Sequence, residues 1–255
     1  MDLQLEGKRA VVTGASRGIG LAAARALATE GVRVALVARD EEALRRAADV
    51  VTGAPVIAAC DTGEPQSVAA MARLVTDELG GVDILVNCAA RANTGPMSDD
   101  ELAEQINVKV AGYLRCARAF APQMVHRGWG RIISVSGLAA RSTGSVVGSV
   151  RNVAVSAMTK NLADQYGAGG VNVTVVHPGM TVTERFGDTL AAMAQARDTT
   201  PVEVEASLAK ATSIGRVVTA EEVADVIAFL TSPRSVAVTG DAIAAGGGSR
   251  GAIYY

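Results

Sequence analysis

Aromatic side chains are scarce: three Phe, four Tyr and one Trp make up 3% of the 255 residues. Stacking platforms for single-stranded nucleic acid need aromatic faces, so that class of partner is disfavoured. With 49% of the chain hydrophobic, the core has to be assembled from Ala, Val, Leu and Ile. Charge of one sign is also missing, since 24 Lys plus Arg stand against 26 Asp plus Glu for a formal net of -2. No polyanion-attracting field is expected. The three cysteines, Cys60, Cys88 and Cys116, are odd in number, widely spaced and without a CxxC or a His cluster. That pattern argues against a disulfide framework and against a metal site. Nowhere do 18 apolar residues follow one another, and the opening MDLQLEGKR has no apolar stretch of signal-peptide length, so a soluble, cytoplasmic protein is expected.

The chain does contain short apolar, β-branched runs separated by longer helical patterns. Seven strands are predicted: Arg9 to Thr13, Val32 to Ala38, Val56 to Cys60, Ile84 to Asn87, Arg131 to Val135, Val171 to Val176 and Asp241 to Ala245. Most are apolar throughout, as expected where helices cover both faces of a parallel sheet. Apolar spacing near 3.6 predicts helices at Ile19 to Glu30, Glu41 to Asp49, Glu64 to Leu79, Asp99 to Arg127, Asn152 to Gly167 and Ala220 to Thr231. The alternation implies an α/β, doubly wound, seven-stranded parallel sheet, a Rossmann fold, in a single domain over residues 1–255. The polar excursion from Thr181 to Ser213 follows a strand's carboxyl end, where such sheets bind ligands, and is read as a lid at about 181–213.

The first predicted strand runs into Thr13-Gly14-Ala15-Ser16-Arg17-Gly18-Ile19-Gly20 and then into an Ala-rich helix. Glycines allow a tight turn and close backbone approach to a pyrophosphate, and the helix offers free N–H groups and its positive dipole end. Strand, glycines and helix in that order predict nucleotide binding. At the end of the second strand an acidic residue bonds a free ribose 2′-hydroxyl, whereas an Arg accommodates a 2′-phosphate. Here Ala38 is followed by Arg39 and Asp40, and Arg17 stands in the glycine loop. NADP(H) is therefore favoured over NAD(H).

The loop TGASRGIG and several later segments resemble the short-chain dehydrogenase/reductase family over nearly the whole chain. Asp61 looks like the family's adenine-contacting acid, and Asn87-Cys88-Ala89-Ala90 looks like its Asn-Asn-Ala-Gly segment with two changes. Asn107 in INVKV matches the helix Asn that holds a catalytic water. Pro178-Gly179 and Thr183 resemble the Pro-Gly-x-x-x-Thr segment, whose Thr contacts the nicotinamide amide. The resemblance thus implies a cofactor set of Gly14, Ser16, Arg17, Gly18, Ile19, Gly20, Arg39, Asp61, Asn87, Pro178, Gly179 and Thr183. It also implies a homotetramer or homodimer acting on a small molecule.

The family's chemistry departs at the catalytic centre. It uses a Ser to orient the carbonyl, a Tyr thirteen residues later to move the proton, and a Lys four residues further on. In this chain Tyr occurs only at 113, 166, 254 and 255, and none precedes a Lys by four. Aligning from Gly130-Arg131-Ile132-Ile133 and from Met158-Thr159-Lys160 places the Ser, Tyr and Lys positions at Gly137, Gly148 and Asn152. Asn107 is retained and Ser136 stands one position from the lost Ser. Arg151 lies beside the vacated Lys position, where a guanidinium can bind a carboxylate or an oxyanion. His177 has an ordinary pKa suited to proton transfer. Asn107, Ser136, Arg151 and His177 are the catalytic candidates. Further ones are Ser142, Ser145 and Ser149 in a loop over the site, Tyr113, the Tyr254-Tyr255 pair, and a Ser156/Lys160 pair on one helix face, which needs a two-turn register shift.

Three readings follow. The first is an NADP(H)-dependent oxidoreductase interconverting carbonyl and alcohol through an unconventional proton relay. The second is a non-redox lyase, isomerase or cyclase on the same fold, and the third is a catalytically silent nucleotide-binding subunit or sensor. The intact loop, Arg39, Asp61 and Thr183 favour the first.

Overall fold

A computed structural model describes residues 1–91 and 98–253. The first half of the chain alternates strictly: β1 (Arg9–Thr13), α1 (Gly18–Thr29), β2 (Arg33–Ala38), α2 (Glu41–Ala48), β3 (Val56–Ala59), α3 (Pro65–Leu79) and β4 (Ile84–Asn87). Next come α4 (Asp99–Gln105), a π-helical turn (Ile106–Ala111), α5 (Gly112–His126), β5 (Gly130–Val135), α6 (Val146–Tyr166) and β6 (Val171–Pro178). The last part holds β7 (Thr181–Val182), α7 (Phe186–Arg197), α8 (Pro201–Lys210), β8 (Val218–Thr219), α9 (Ala220–Thr231) and β9 (Ala242–Ala245).

Seven of these strands form one parallel sheet in the order β3-β2-β1-β4-β5-β6-β9, the doubly wound architecture expected. In register, Val11 of β1 lies between Ala35 of β2 and Leu85 of β4. The sheet's two faces carry separate aliphatic clusters. One packs Ala23, Leu27, Leu36, Leu44 and Ile227 beneath α1, α2 and α9. The other packs Val11, Leu85, Phe120, Met124 and Leu162 beneath α3, α5 and α6. Each such leucine contributes about 1.5–3 kcal/mol by leaving water. Tyr113 is wholly buried on α5, and its hydroxyl donates to the Val135 carbonyl at 3.0 Å. The phenol is thus a core group and not a member of the crevice.

Two elements differ from the pattern read in the sequence. The helix predicted over Asp99 to Arg127 is divided by the π-helical turn. The helix predicted from Asn152 begins at Val146, because the Ser145 hydroxyl caps it by accepting the Gly148 N–H at 3.0 Å. Ser149 therefore lies in the helix and not in a loop, with its hydroxyl donating to the Ser142 carbonyl. Over the region 181–213, β7 pairs with β8, while α7 and α8 close a small core of Phe186, Leu190, Ala194 and Val204 with Val217. No helix among the described residues is long and apolar enough to cross a membrane.

Candidate active site

The chain leaves β1 toward β2 on one side and returns to β4 on the other, so the strand ends part between β1 and β4 and open a crevice. The Thr13 hydroxyl ties the two lips together by accepting N–H groups of Cys88 and Ala89 at 3.1 and 3.2 Å. Gly14 has φ +68, and a Cβ there would lie 2.9 Å from the Cys88 and Ala89 backbone. A Cβ on Gly20 would lie 2.3 Å from the Gly14 carbonyl oxygen. Only glycine fits either place, and the result is a backbone cradle at the start of α1.

That cradle opens into a cavity of about 870 Å³ along the carboxyl ends of the strands. Gly14, Ser16, Arg17, Ile19 and Gly20 line it from the loop after β1. Ala38, Arg39 and Asp40 line it from β2, Asp61 and Thr62 from the end of β3, and Cys88, Ala89, Ala90 and Arg91 from the end of β4. Val135 and Ser136 with Arg151 close one side, and Pro178 at the end of β6 and Thr183 beyond it also line the cavity. Of the other candidates, Gly18 heads α1, Gly179 packs against Gly246, and Asn87 is buried with neither amide atom of its side chain partnered.

The electrostatics of the cradle suit an anion. The Gly18 N–H already donates to the Glu184 carboxylate, at 3.0 Å to Oε2, so a carboxylate occupies the positive end of α1. Arg17 and Arg39 both line the cavity. Asp40 is engaged elsewhere, since its carboxylate caps α2 by accepting the Ala43 N–H at 3.0 Å. Asp61 accepts the Gly63 N–H at 2.8 Å. Backbone cradle, helix terminus and paired arginines together fit a pyrophosphate-containing nucleotide.

Beyond β5 the structure gathers the catalytic candidates unevenly. Ser136 lines the cavity, and its hydroxyl donates to the Asn152 carbonyl at 3.2 Å. A Cβ on Gly137 would meet the Asn152 amide nitrogen at 2.9 Å, and one on Gly148 would meet the Ser145 hydroxyl at 2.9 Å. Asn152 is buried with its Oδ1 unpartnered. Asn107 lies behind the wall: its amide donates to the Gly63 carbonyl at 3.2 Å, while Arg115 donates to its Oδ1 at 2.8 Å and its carbonyl at 3.1 Å. His177 is buried and outside the cavity lining. Its Nδ1 accepts the Gly137 N–H at 3.2 Å, which leaves the ring proton on Nε2, facing the Ser156 hydroxyl at 3.2 Å. Burial, reinforced by Arg141 and Lys109, lowers its pKa to about 4, so the ring is neutral near pH 7.

Ser156 is taken up with His177, and Lys160 forms an exposed ion pair with Asp164 at 2.5 Å, so the Ser156/Lys160 pair is not assembled. Tyr254 and Tyr255 lie outside the described residues. Arg151 reaches the cavity and donates to the Gln105 side chain and, at 3.3 Å, to the Arg91 carbonyl. Its Nε is buried without a partner.

Several cavity residues, Thr62, Arg91, Lys109 and Arg185 among them, are not picked out from the sequence, and Lys109 bears most on the chemistry. Lys109, in the π-helical turn, is 4% exposed, lines the cavity and donates from Nζ to the Ser136 carbonyl at 2.9 Å. Burial, and to a lesser degree the Arg151 charge, lower its pKa from an ordinary 10.5 to about 7. The available signal was a lone lysine within the apolar run Ile106-Asn107-Val108-Lys109-Val110-Ala111.

Comparison with known proteins bears on this site as a whole. Residues 14–250 match the family model described as enoyl-(acyl carrier protein) reductase. The chain is 34% identical to the short-chain reductase protein NovJ of Streptomyces niveus, over 94% of this chain and 92% of that one. It is 33% identical to the 3-oxoacyl-[acyl-carrier-protein] reductase FabG of Vibrio cholerae, over 96% and 98%. Among solved structures it is similar to L-sorbose reductase of Gluconobacter frateurii complexed with NADPH and L-sorbose. That similarity has a TM-score of 0.92 at 29% identity, over 99% of this chain and 100% of that one.

Proposed function

The chain belongs to the short-chain dehydrogenase/reductase family and is an oxidoreductase of that type, and on this premise we propose that it is NADP(H)-dependent and interconverts a carbonyl and an alcohol through an altered proton relay. The observation that carries the reading is a single cavity joining the glycine cradle and Arg39 at one end to Ser136, Lys109 and Arg151 at the other. Gly14, Ser16, Ile19 and Gly20 would hold the pyrophosphate, and Arg17 with Arg39 the 2′-phosphate. Asp61 would face the adenine, and Pro178 and Thr183 the nicotinamide. When bound, the reduced nicotinamide supplies a hydride to the carbonyl carbon. Arg151 would hold and polarise the carbonyl oxygen, and the cavity walls, Ser136 among them, would fix its orientation, which supplies much of the rate.

Support for NADP(H) over NAD(H) comes from two cationic side chains lining the cavity, Arg17 and Arg39, and from the engagement of Asp40 as a helix cap. Residues 181–213 act as a lid over the substrate end, with Thr183 and Glu184 as their point of contact with the cofactor loop. The exposed stripe Val146, Val150 and Val153 on α6 supports a homodimer or homotetramer.

Fluorescence titration tests the nucleotide: NADPH should bind more tightly than NADH, and Arg39→Ala should abolish the difference. Equal affinities in the parent protein would refute the preference. For the chemistry, NADPH carrying deuterium at the 4R or 4S position is incubated with a ketose, a 3-oxoacyl thioester and an α-diketone. Label in the alcohol product supports the reading. Tight binding without label transfer to any of them would favour a non-redox enzyme or a silent nucleotide-binding subunit.

A further inference from the structure

Resting on the reductase reading above, we propose that Lys109 is the residue that transfers the proton to and from the substrate oxygen, delivered from the π-helical turn to the place left by the family's Tyr and Lys on α6. Its ammonium nitrogen lies 2.9 Å from the Ser136 carbonyl, one residue from the vacated Ser position. Ser136 in turn donates its hydroxyl to the carbonyl of Asn152, which stands at the vacated Lys position and whose Oδ1 is buried without a partner. A lysine has thus not been lost from this space but supplied from the opposite element.

The other polar groups near this end of the cavity cannot carry the proton at neutral pH. Tyr113 donates inside the core to Val135, and His177 has both ring nitrogens engaged behind the wall. Burial pushes the Cys88 thiol up to about 12. An Arg side chain stays charged in proteins, so Arg151 is no proton donor. Ser136 spends its hydroxyl proton on the Asn152 carbonyl.

Burying an ammonium is costly, and the Ser136 carbonyl satisfies only one of its three N–H groups. Among the described residues Lys109 has no ion pair. The groups facing it are Arg151 from α6, Cys88 from the end of β4 and His177 from β6, with Tyr113 one turn along its own helix. A lysine placed in a cleft against such a cost is the pattern of a functional amine. Burial and Arg151 bring its pKa to about 7, where a group both holds and releases a proton.

In the reduction, the carbonyl carbon accepts hydride and the C=O π pair moves to oxygen. An N–H bond of Lys109 breaks with its electrons staying on nitrogen, and the proton forms the new O–H bond. The neutral amine is recharged by solvent in the cavity. In the oxidative direction the amine takes the hydroxyl proton.

Two measurements on the full chain test this. In apo protein with 13C-labelled lysine, the Lys109 resonance, assigned with Lys109→Arg, should titrate near pH 7. Arg151→Met should move that midpoint upward. A midpoint at the ordinary lysine value overturns the proposal without reference to activity. In the deuterium-transfer assay, kcat/KM for reduction should fall above about pH 7. Lys109→Met should lose about 10²–10⁴-fold of the rate and that pH limb while binding NADPH within about twofold of the parent protein. If the parent protein transfers label but Lys109→Met keeps the rate and the limb, the proposal fails and the reductase reading stands. If the parent protein transfers no label to any substrate, the reductase reading falls and takes the proposal with it.

Discussion

The Ser145 hydroxyl accepts the Gly148 N–H at 3.0 Å and stands 2.9 Å from the place where a Cβ on Gly148 would be. The first turn of α6 is therefore built around the absence of a side chain at Gly148, the position we propose to correspond to the family's tyrosine. Gly148→Ala should gain up to about 1 kcal/mol of helix propensity and lose a cap of similar worth. Its melting temperature should stay within about 2 °C of the parent protein. Gly148→Tyr with Asn152→Lys should reduce simple ketones only when Ser145→Gly is added, because the phenol's stem needs the space of the Ser145 hydroxyl. Activity of the double variant without the third change would show that the cap yields freely.

At Gly20 the obstacle is backbone and cannot turn aside. A Cβ there meets the Gly14 carbonyl oxygen at 2.3 Å, so Gly20→Ala must open the cradle. We expect a loss of about 1–3 kcal/mol in urea unfolding, together with loss of NADPH binding. Unchanged affinity would disconnect the cradle from the nucleotide.

Glu184 competes for the positive end of α1 that the pyrophosphate would use. Glu184→Gln keeps the shape and removes the charge, and should tighten NADPH binding about two- to fivefold, the size of a charge at a helix terminus. The gain should shrink at high salt. Weaker binding by the variant would mean that Glu184 helps to hold the cofactor loop in its bound form.

Lys109 also makes stability depend on pH. Its pKa is about 7 in the folded chain against an ordinary 10.5, so between those values the unfolded chain binds a proton that the folded chain does not. The resulting penalty is absent above about pH 10.5, grows as the pH falls, and is complete below about pH 7. Lys109→Met, of similar length and without charge, should melt higher than the parent protein at pH 7, by about 3 °C or more. The gap should close toward pH 10.5. A variant that melts lower at pH 7 would assign the amine a structural role.

Most of the fold is legible in the sequence because its parallel strands are apolar on both faces and are separated by glycine turns. Thus β1, β4 and α9 are found at the residues read from the pattern alone. The start of α6 is not legible, since Thr143-Gly144-Ser145 and Gly148-Ser149 have the composition of a loop. Only the Ser145 cap and packing on the sheet make Val146 to Ser149 the first turn of a helix. The cofactor loop is readable because its glycines answer to backbone contacts within a few residues of each other and to the loop after β4. Lys109 is not, because a single lysine at helical spacing also describes a solvated face. What buries it is the crossing of its helix over the ends of β4 and β5. Glu184 carries no local signal either, since its partner at Gly18 is distant in the chain.

The turn at Ile106–Ala111 is wound as a π-helix, a form that accommodates an extra residue within a helix. Removing one residue there, at Val110 for instance, would let α4 and α5 run on as one regular helix with their faces nearly kept, and would shift mainly the residues inside the turn. Tyr113 would keep its bond to Val135, while Lys109 would swing away from Ser136. A change of length by one residue, which surface loops absorb at little cost, would here take an amine out of its place beside Ser136.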